Sequence, residues 1–150
     1  MWRFKSSRRH TQFTIYDLRF TIYDLRFTIV NEEEFKRRTK DLGLRVIRLV
    51  EALPQKPTAV VIGKQLLRSA TSVGANYRAA CRARSTADMI ARLKIVEEEA
   101  DETLYWLELL IEARLVPDNQ LADLMKETNE IVAMTIASLK TLRARQNRQS

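Results

Sequence analysis

The sequence predicts an all-α protein, an up-down-up-down antiparallel four-helix bundle, on three observations. Apolar residues recur at steps of three and four through four long segments, the spacing of a buried helical face. The chain of 150 residues holds only three glycines and three prolines, too few for sheets joined by tight turns. Pro54, Pro57 and Pro117 fall between the periodic segments, where a proline ends one helix or opens the next. A chain this long fits one domain with a substantial core.

Residues 1–31 read as a leader and residues 32–150 as the bundle. The leader contains a tandem repeat: FTIYDLR spans Phe13–Arg19 and again Phe20–Arg26, and a third copy breaks off after Ile29. Its apolar alternation allows a strand, but a period of seven flips the strand face from copy to copy. So short a repeat does not build a solenoid. We read it as a recent duplication, or as translated intergenic sequence, with the functional chain beginning near Asn31. A poorly ordered segment outside the core is expected there. A native N-terminus mapped to Met1 by mass spectrometry would contradict that reading.

The first helix is expected from about Glu32 to Leu53. Glu32, Glu33 and Glu34 stand in its first turn, where carboxylates complement the helix dipole. Phe35, Leu42, Val46, Leu49 and Leu53 form its apolar stripe. The second helix is expected to start at Pro57 or Thr58, with Thr58 in capping, and to carry Gln65–Ser85 as one long helix. Leu66, Ala70, Val73, Tyr77 and Cys81 make its buried stripe. One position off, Gln65, Arg68, Ser69, Ser72 and Asn76 make a polar stripe. Such side chains either satisfy buried polar groups or lock one subunit to another. Gly63 and Gly74 each cost on the order of 1 kcal/mol relative to alanine inside a helix, which points to close helix contacts.

Ser85 is placed to cap the third helix, with Asp88 as the capping-box acid. The stripe Met89, Leu93, Val96, Ala100, Thr103, Leu107, Leu110 keeps a heptad rhythm, which implies shallow crossing angles. Pro117 and Asp118 mark the last turn, with Asp118 the expected N-cap. The fourth helix repeats the rhythm through Leu121, Leu124, Thr128, Ile131, Thr135, Ser138 and Leu142. Tyr77, Tyr105, Trp106 and the Leu109/Leu110 pair widen the apolar surface beyond one seam, which argues for self-association.

The formal charge of +7 is unevenly spread. Residues 1–31 carry six basic and two acidic groups, and residues 140–150 carry four basic groups and no acid. Residues 52–87 hold six basic groups and no acid, whereas residues 88–112 hold eight acids against Arg92 and Lys94. Two readings follow for the basic groups of helix 2. Adjacent helices neutralise each other, or the arginines hold nucleic-acid phosphates. Pairing comes first because the acids lie close enough to compete, and Arg78, Arg82 and Arg84 are the cations most able to stay out of it.

Catalytic chemistry finds little support. Bundle di-iron sites need a Glu-x-x-His pair on facing helices, but the single histidine, His10, lies in the leader. The acids Glu97, Glu98, Glu99, Asp101 and Glu102 wrap around their helix instead of converging. No Ser-His-Asp or Cys-His set can be assembled, and no glycine-rich phosphate loop is present. No cofactor is expected. Cys81, the single cysteine, reads as packing, and its solitude suits a reducing compartment. No apolar run reaches the ~20 residues of a membrane span and no signal peptide stands at the N-terminus, so the cytoplasm is the expected location.

Gln65-Leu66-Leu67-Arg68-Ser69-Ala70, then Ser72-Val73 and Asn76, resembles the helix-2 signature of the bacterial four helix bundle protein family. That family includes proteins encoded in intervening sequences of large-subunit ribosomal RNA genes, and is related to the accessory variability determinant of diversity-generating retroelements. The proline-rich link before helix 2, the Ser85 start and the acidic run before Tyr105-Trp106-Leu107 fit as well. The likeness covers roughly Glu33 to Leu142. Where the family continues with Ile-Ala-Glu-Gly, this chain has Tyr77-Arg78-Ala79-Ala80. The resemblance implies a homopentameric ring whose basic surface meets RNA or a protein partner, a reverse transcriptase in the retroelement relatives.

The combined expectation is a non-catalytic, self-assembling scaffold that binds RNA or DNA. Its contact candidates are Arg68, Arg78, Arg82 and Arg84, then Lys140, Arg143 and Arg145. Gln65, Ser69, Ser72, Asn76, Tyr77, Tyr105 and Trp106 are the interface candidates. The alternative is an accessory subunit that binds a protein partner, such as a reverse transcriptase, without touching nucleic acid.

Overall fold

Four helices fill residues 30–150, the part of the chain that the computed structural model describes. They are α1 (Val30–Ala52), α2 (Pro57–Cys81), α3 (Thr86–Glu112) and α4 (Asp118–Gln149). Each packs on its chain neighbours in an up-down-up-down antiparallel bundle, and α4 returns to α1 over a much smaller contact. The repeat leader and His10 lie outside the described residues. Val30 and Asn31, assigned to the leader by sequence, already belong to α1.

Each helix begins and ends for a local reason. Glu32 and Glu33 occupy the first turn of α1, and the chain leaves the helix just ahead of Pro54. Pro57 takes the first position of α2, where its missing N–H costs nothing. The N-cap is Lys56, without a side-chain bond, so the capping role expected of Thr58 is not used. The single helix expected over Gln65–Ser85 is also shorter. It stops at Cys81, where the N–H groups of Arg82 and Ala83 donate to Ala79 and Ala80 carbonyls, both at 3.1 Å, in a tightened last turn. That turn frees Ser85 to cap α3: its Oγ accepts the Asp88 N–H at 3.1 Å, and the Asp88 carboxylate accepts the Arg84 N–H at 3.2 Å.

The link from α3 to α4 is a Schellman turn. Leu115 N–H donates to the Leu110 carbonyl and Arg114 N–H to that of Ile111, each at 2.9 Å. Arg114 stands at the left-handed position with φ 58°, where glycine is usual. Pro117, not Asp118, is the N-cap of α4; Asp118 is the first helical residue, its carboxylate at the positive end of the dipole.

The heptad stripes point inward. Met89, Leu93, Val96, Ala100, Leu107 and Leu110 of α3 are fully buried, as are Leu66, Ala70 and Val73 of α2. Leu121, Leu124, Ile131 and Leu142 of α4 meet them, with Phe35, Leu42 and Val46 of α1. Burial of each large side chain contributes roughly 1.5–3 kcal/mol. The buried hydroxyls of Thr39, Thr128 and Thr135 donate to carbonyls one turn back, so the core keeps no unpaired polar group at these points. Thr103 Oγ1 lies 3.0 Å from Ser69 Oγ and joins α3 to α2 through the core.

Two seams hold α1. Against α2 it packs close: a β-carbon built on Gly74 would lie 3.2 Å from the Thr39 carbonyl oxygen and 3.5 Å from the Lys40 nitrogen. Against α4 the fastening is polar. Arg38 reaches both carboxylate oxygens of Glu127, at 2.9 and 2.6 Å, and Glu130 at 2.6 Å. The Arg38 bond holds the Glu127 carboxyl below its ordinary value, and the same bond raises the guanidinium.

Candidate functional site

The topology gathers the basic groups that the sequence marks. In an antiparallel bundle of this order, the C-terminal ends of α2 and α4 lie at one pole, beside the N-terminal ends of α1 and α3. Arg78 and Arg82 reach that pole from α2, Arg84 from the turn, and Lys140 and Arg143 from α4 as exposed side chains, with Arg145 half-buried.

A groove of about 880 Å³ runs along the outer side of α1 and α2 toward this pole. Its floor is low because Gly43, Gly74 and Ala75 carry little or no side chain there, and because Gly74 lets the two backbones approach. One half is lined by Leu44, Ile47 and Thr71, the other by Lys36, Arg37, Lys40, Arg78 and Arg82 together with the acids Glu32 and Glu33. Leu44 is 42% exposed and Ile47 36%, high values for side chains of this size.

The cations of the groove are not equivalent. Lys36 is held by Glu32 and Glu33, each at 3.2 Å. Arg37 donates to Glu34 at 3.0 Å. Lys40, Arg78 and Arg82 form no ion pair among the described residues and stand in solvent. Cys81 lines the same wall half-buried, and burial raises its thiol above the ordinary range, which leaves it a poor nucleophile.

Arg68 sits elsewhere. On the α2/α3 face its guanidinium binds Glu102 at 2.6 Å and Glu99 at 3.1 Å. The Trp106 indole N–H donates to Glu102 at 3.0 Å, and Trp106 meets Tyr105 edge-on with centroids 5.0 Å apart. Arg68 first, then the Trp106 bond, holds the Glu102 carboxyl below its ordinary value. Pairing between helix-2 cations and helix-3 acids is therefore real at Arg68 and absent at Arg78, Arg82 and the Arg84 side chain.

Of the interface residues read from sequence, two are corrected. Ser69 is fully buried against Thr103, and Tyr77 is 1% exposed, its ring 4.4 Å from Phe35. Both are taken up inside the chain's own core, because α2 presents that side to α1 and α3. Gln65 and Tyr105 are exposed, and Ser72, Asn76 and Trp106 half-buried, on the α2/α3 face.

Sequence reasoning missed the α1 wall. Arg37, Lys40, Leu44 and Ile47 recur at helical spacing, but a mixed charged and apolar stripe reads as an ordinary solvated face until α2 is set beside it. It also missed the Arg38 clasp, whose acids come from α4, about 90 residues away. Among the described residues no group of three or more His, Cys, Asp or Glu side chains is placed to hold a metal ion. No described helix is long and apolar enough to cross a membrane.

Fold and groove together define a four-helix bundle protein with a basic, half-apolar surface groove. The chain belongs to the 23S rRNA-intervening sequence protein family, whose family model matches residues 31–137. It is also similar to a solved structure, a protein with unknown function from the S23 ribosomal protein family of Bacteroides thetaiotaomicron VPI-5482. The two share 36% identity with a TM-score of 0.69, over 73% of this chain and 98% of that one. No curated protein matches the chain.

Proposed function

We propose that this protein is a non-catalytic scaffold that binds RNA at the basic pole of the bundle and self-associates through the α2/α3 face. The observation that carries the RNA reading is the split among the helix-2 arginines. Arg68 is committed to Glu99 and Glu102, whereas Arg78 and Arg82 share an open groove with Lys40 and have no carboxylate partner there. Uncommitted cations in one groove can take up phosphates without first breaking an ion pair. Arg84, Lys140 and Arg143 extend the same pole. The family's tie to ribosomal RNA genes supports this choice of ligand.

Self-association draws on the flank of α2 and α3. Val61 is 60% exposed, Tyr105 52% and Ile95 41%, on the same two helices as Gln65, Ser72, Asn76 and Trp106. The closed ring of five subunits is what the family resemblance implies.

The RNA reading is tested by filter retention of a labelled transcript with the full chain and a variant carrying Arg78→Glu, Arg82→Glu and Arg84→Glu. These side chains make no ion pair among the described residues, so the variant is expected to keep its helical circular dichroism and to lose retention. Unchanged retention would reject the site. Sedimentation of a Tyr105→Glu variant tests the flank, with loss of the assembled species as the expected result.

A further inference from the structure

The groove between α1 and α2 is polarised along its length, and each half has a different chemistry. Gly43 faces Thr71, with the glycine's added β-carbon 3.7 Å from Thr71 Cγ2, and Gly74 faces Thr39 and Lys40. These contacts fix the antiparallel register. Leu44 and Ile47 therefore lie beside Thr71, at the half away from the pole, and Lys40, Arg78 and Arg82 follow toward the pole. Thr71 and Arg78 are separated by about 10 Å along the α2 axis at the 1.5 Å helical rise. About three phosphates cover that span at the roughly 3.4 Å spacing along one strand.

We infer that the groove binds unpaired RNA, with bases laid against Leu44 and Ile47 and phosphates held by Lys40, Arg78 and Arg82. This rests on the RNA reading above and adds which form of RNA is recognised. A nucleotide has the groove's own polarity, a flat apolar base on a charged phosphate. In a duplex the bases are stacked and paired inside, and only the sugar-phosphate edge reaches a protein surface without entering a groove. A duplex on this wall would satisfy the cations but leave Leu44 and Ile47 against charged backbone. An unstacked base covers them and removes apolar surface from water on both sides.

The two acids that line the groove, at its polar end, are already engaged. Glu32 and Glu33 are held by Lys36 at the polar extreme. No carboxylate lines the stretch from Ile47 through Lys40 to Ala75. The Thr71 hydroxyl is spent on the Leu67 carbonyl at 2.7 Å, so it turns its methyl toward Gly43 and adds to the apolar half. Base recognition here is through shape and apolar contact, which predicts weak sequence preference.

The experiment uses the full chain and fluorescence anisotropy at fixed salt. The probes are an unstructured uridine decamer and an RNA duplex with the same number of phosphates per strand. Each is measured against the native protein, a Leu44→Ser/Ile47→Ser variant and an Arg78→Glu/Arg82→Glu variant. The native protein is expected to prefer the decamer. The serine pair should weaken the decamer about tenfold, the loss of part of the apolar burial of two aliphatic side chains, and leave the duplex unmoved, and the glutamate pair should weaken both. Equal or tighter duplex binding, or a serine pair with no effect on the decamer, overturns the inference while the RNA reading survives. Binding of neither probe overturns both. Sedimentation of the serine variant is run beside it. A drop in assembled mass would show that a second copy of the chain covers the groove, and that also overturns the inference.

Discussion

Alanine placed at Gly43 and at Gly74 should affect stability unequally, although both glycines lie on the α1/α2 seam. In a helix interior, glycine costs roughly 0.5–1 kcal/mol relative to alanine, so each substitution starts with that gain. At Gly43 the new methyl would find Thr71 Cγ2 at 3.7 Å and the Ala70 carbonyl at 4.0 Å, ordinary contacts. The gain is kept, and Gly43→Ala should stabilise by roughly 0.5–1 kcal/mol. At Gly74 the methyl meets backbone, the Thr39 oxygen at 3.2 Å and its carbonyl carbon at 3.3 Å. Backbone atoms cannot turn away as a side chain does, so α1 must lift from α2, and overpacking of this kind costs about 1–3 kcal/mol. The effect of Gly74→Ala should therefore lie between neutral and a destabilisation of about 2 kcal/mol, a difference of at least about 1 kcal/mol between the variants. Urea titration followed by circular dichroism resolves it, because about 1 kcal/mol moves the midpoint by roughly 0.5 M at a slope near 2 kcal/mol/M. If Gly74→Ala stabilises as much as Gly43→Ala, the close approach that shapes the groove floor is refuted.

Other seams make their own predictions. Arg38→Ala should cost about 2 kcal/mol, since it strands the largely buried Glu127 carboxylate, which accepts two of its charged hydrogen bonds; a urea midpoint unchanged from native would deny the clasp. Glu127 has a folded value below its ordinary 4.5. Its contribution is complete above that ordinary value and is lost as pH falls through the lowered one. The native protein should thus lose more stability than a Glu127→Gln variant between about pH 5 and pH 2, read from thermal midpoints. Arg114→Gly should stabilise by about 1 kcal/mol, because it relieves a left-handed residue in a turn that keeps all its backbone bonds; a lower thermal midpoint would contradict the Schellman assignment.

How much of the fold the residues reveal depends on how local each cause is. The stripes of α3 and α4, from Met89 to Leu110 and from Leu121 to Leu142, face the core because a seven-residue period fixes the buried side wherever the partner stands. The Ser85 cap is equally local, its acceptor and donor three residues apart. The N-caps of α2 and α4 mislead in sequence because Thr58 and Asp118 have good capping chemistry, yet Pro57 and Pro117 set the backbone where each helix starts. Tyr77 reads as interface because its stripe is wide; only the rotation of α2 against Phe35 shows that the ring is enclosed. The groove needs the rotation of two helices and their register, and a period carries neither. Arg68 and Arg78 look alike in the sequence and differ only in which carboxylates the fold sets beside them.

The most direct test follows from that last contrast. RNA affinity of the full chain is measured over a series of salt concentrations for the native protein, an Arg68→Glu variant and an Arg78→Glu/Arg82→Glu variant. For each phosphate that the protein no longer neutralises, the slope of log affinity against log salt should flatten by about 0.7 on a single strand. The groove pair should lower the slope by roughly twice that amount, with Arg68→Glu close to native. A larger flattening from Arg68→Glu than from the groove pair would contradict the account.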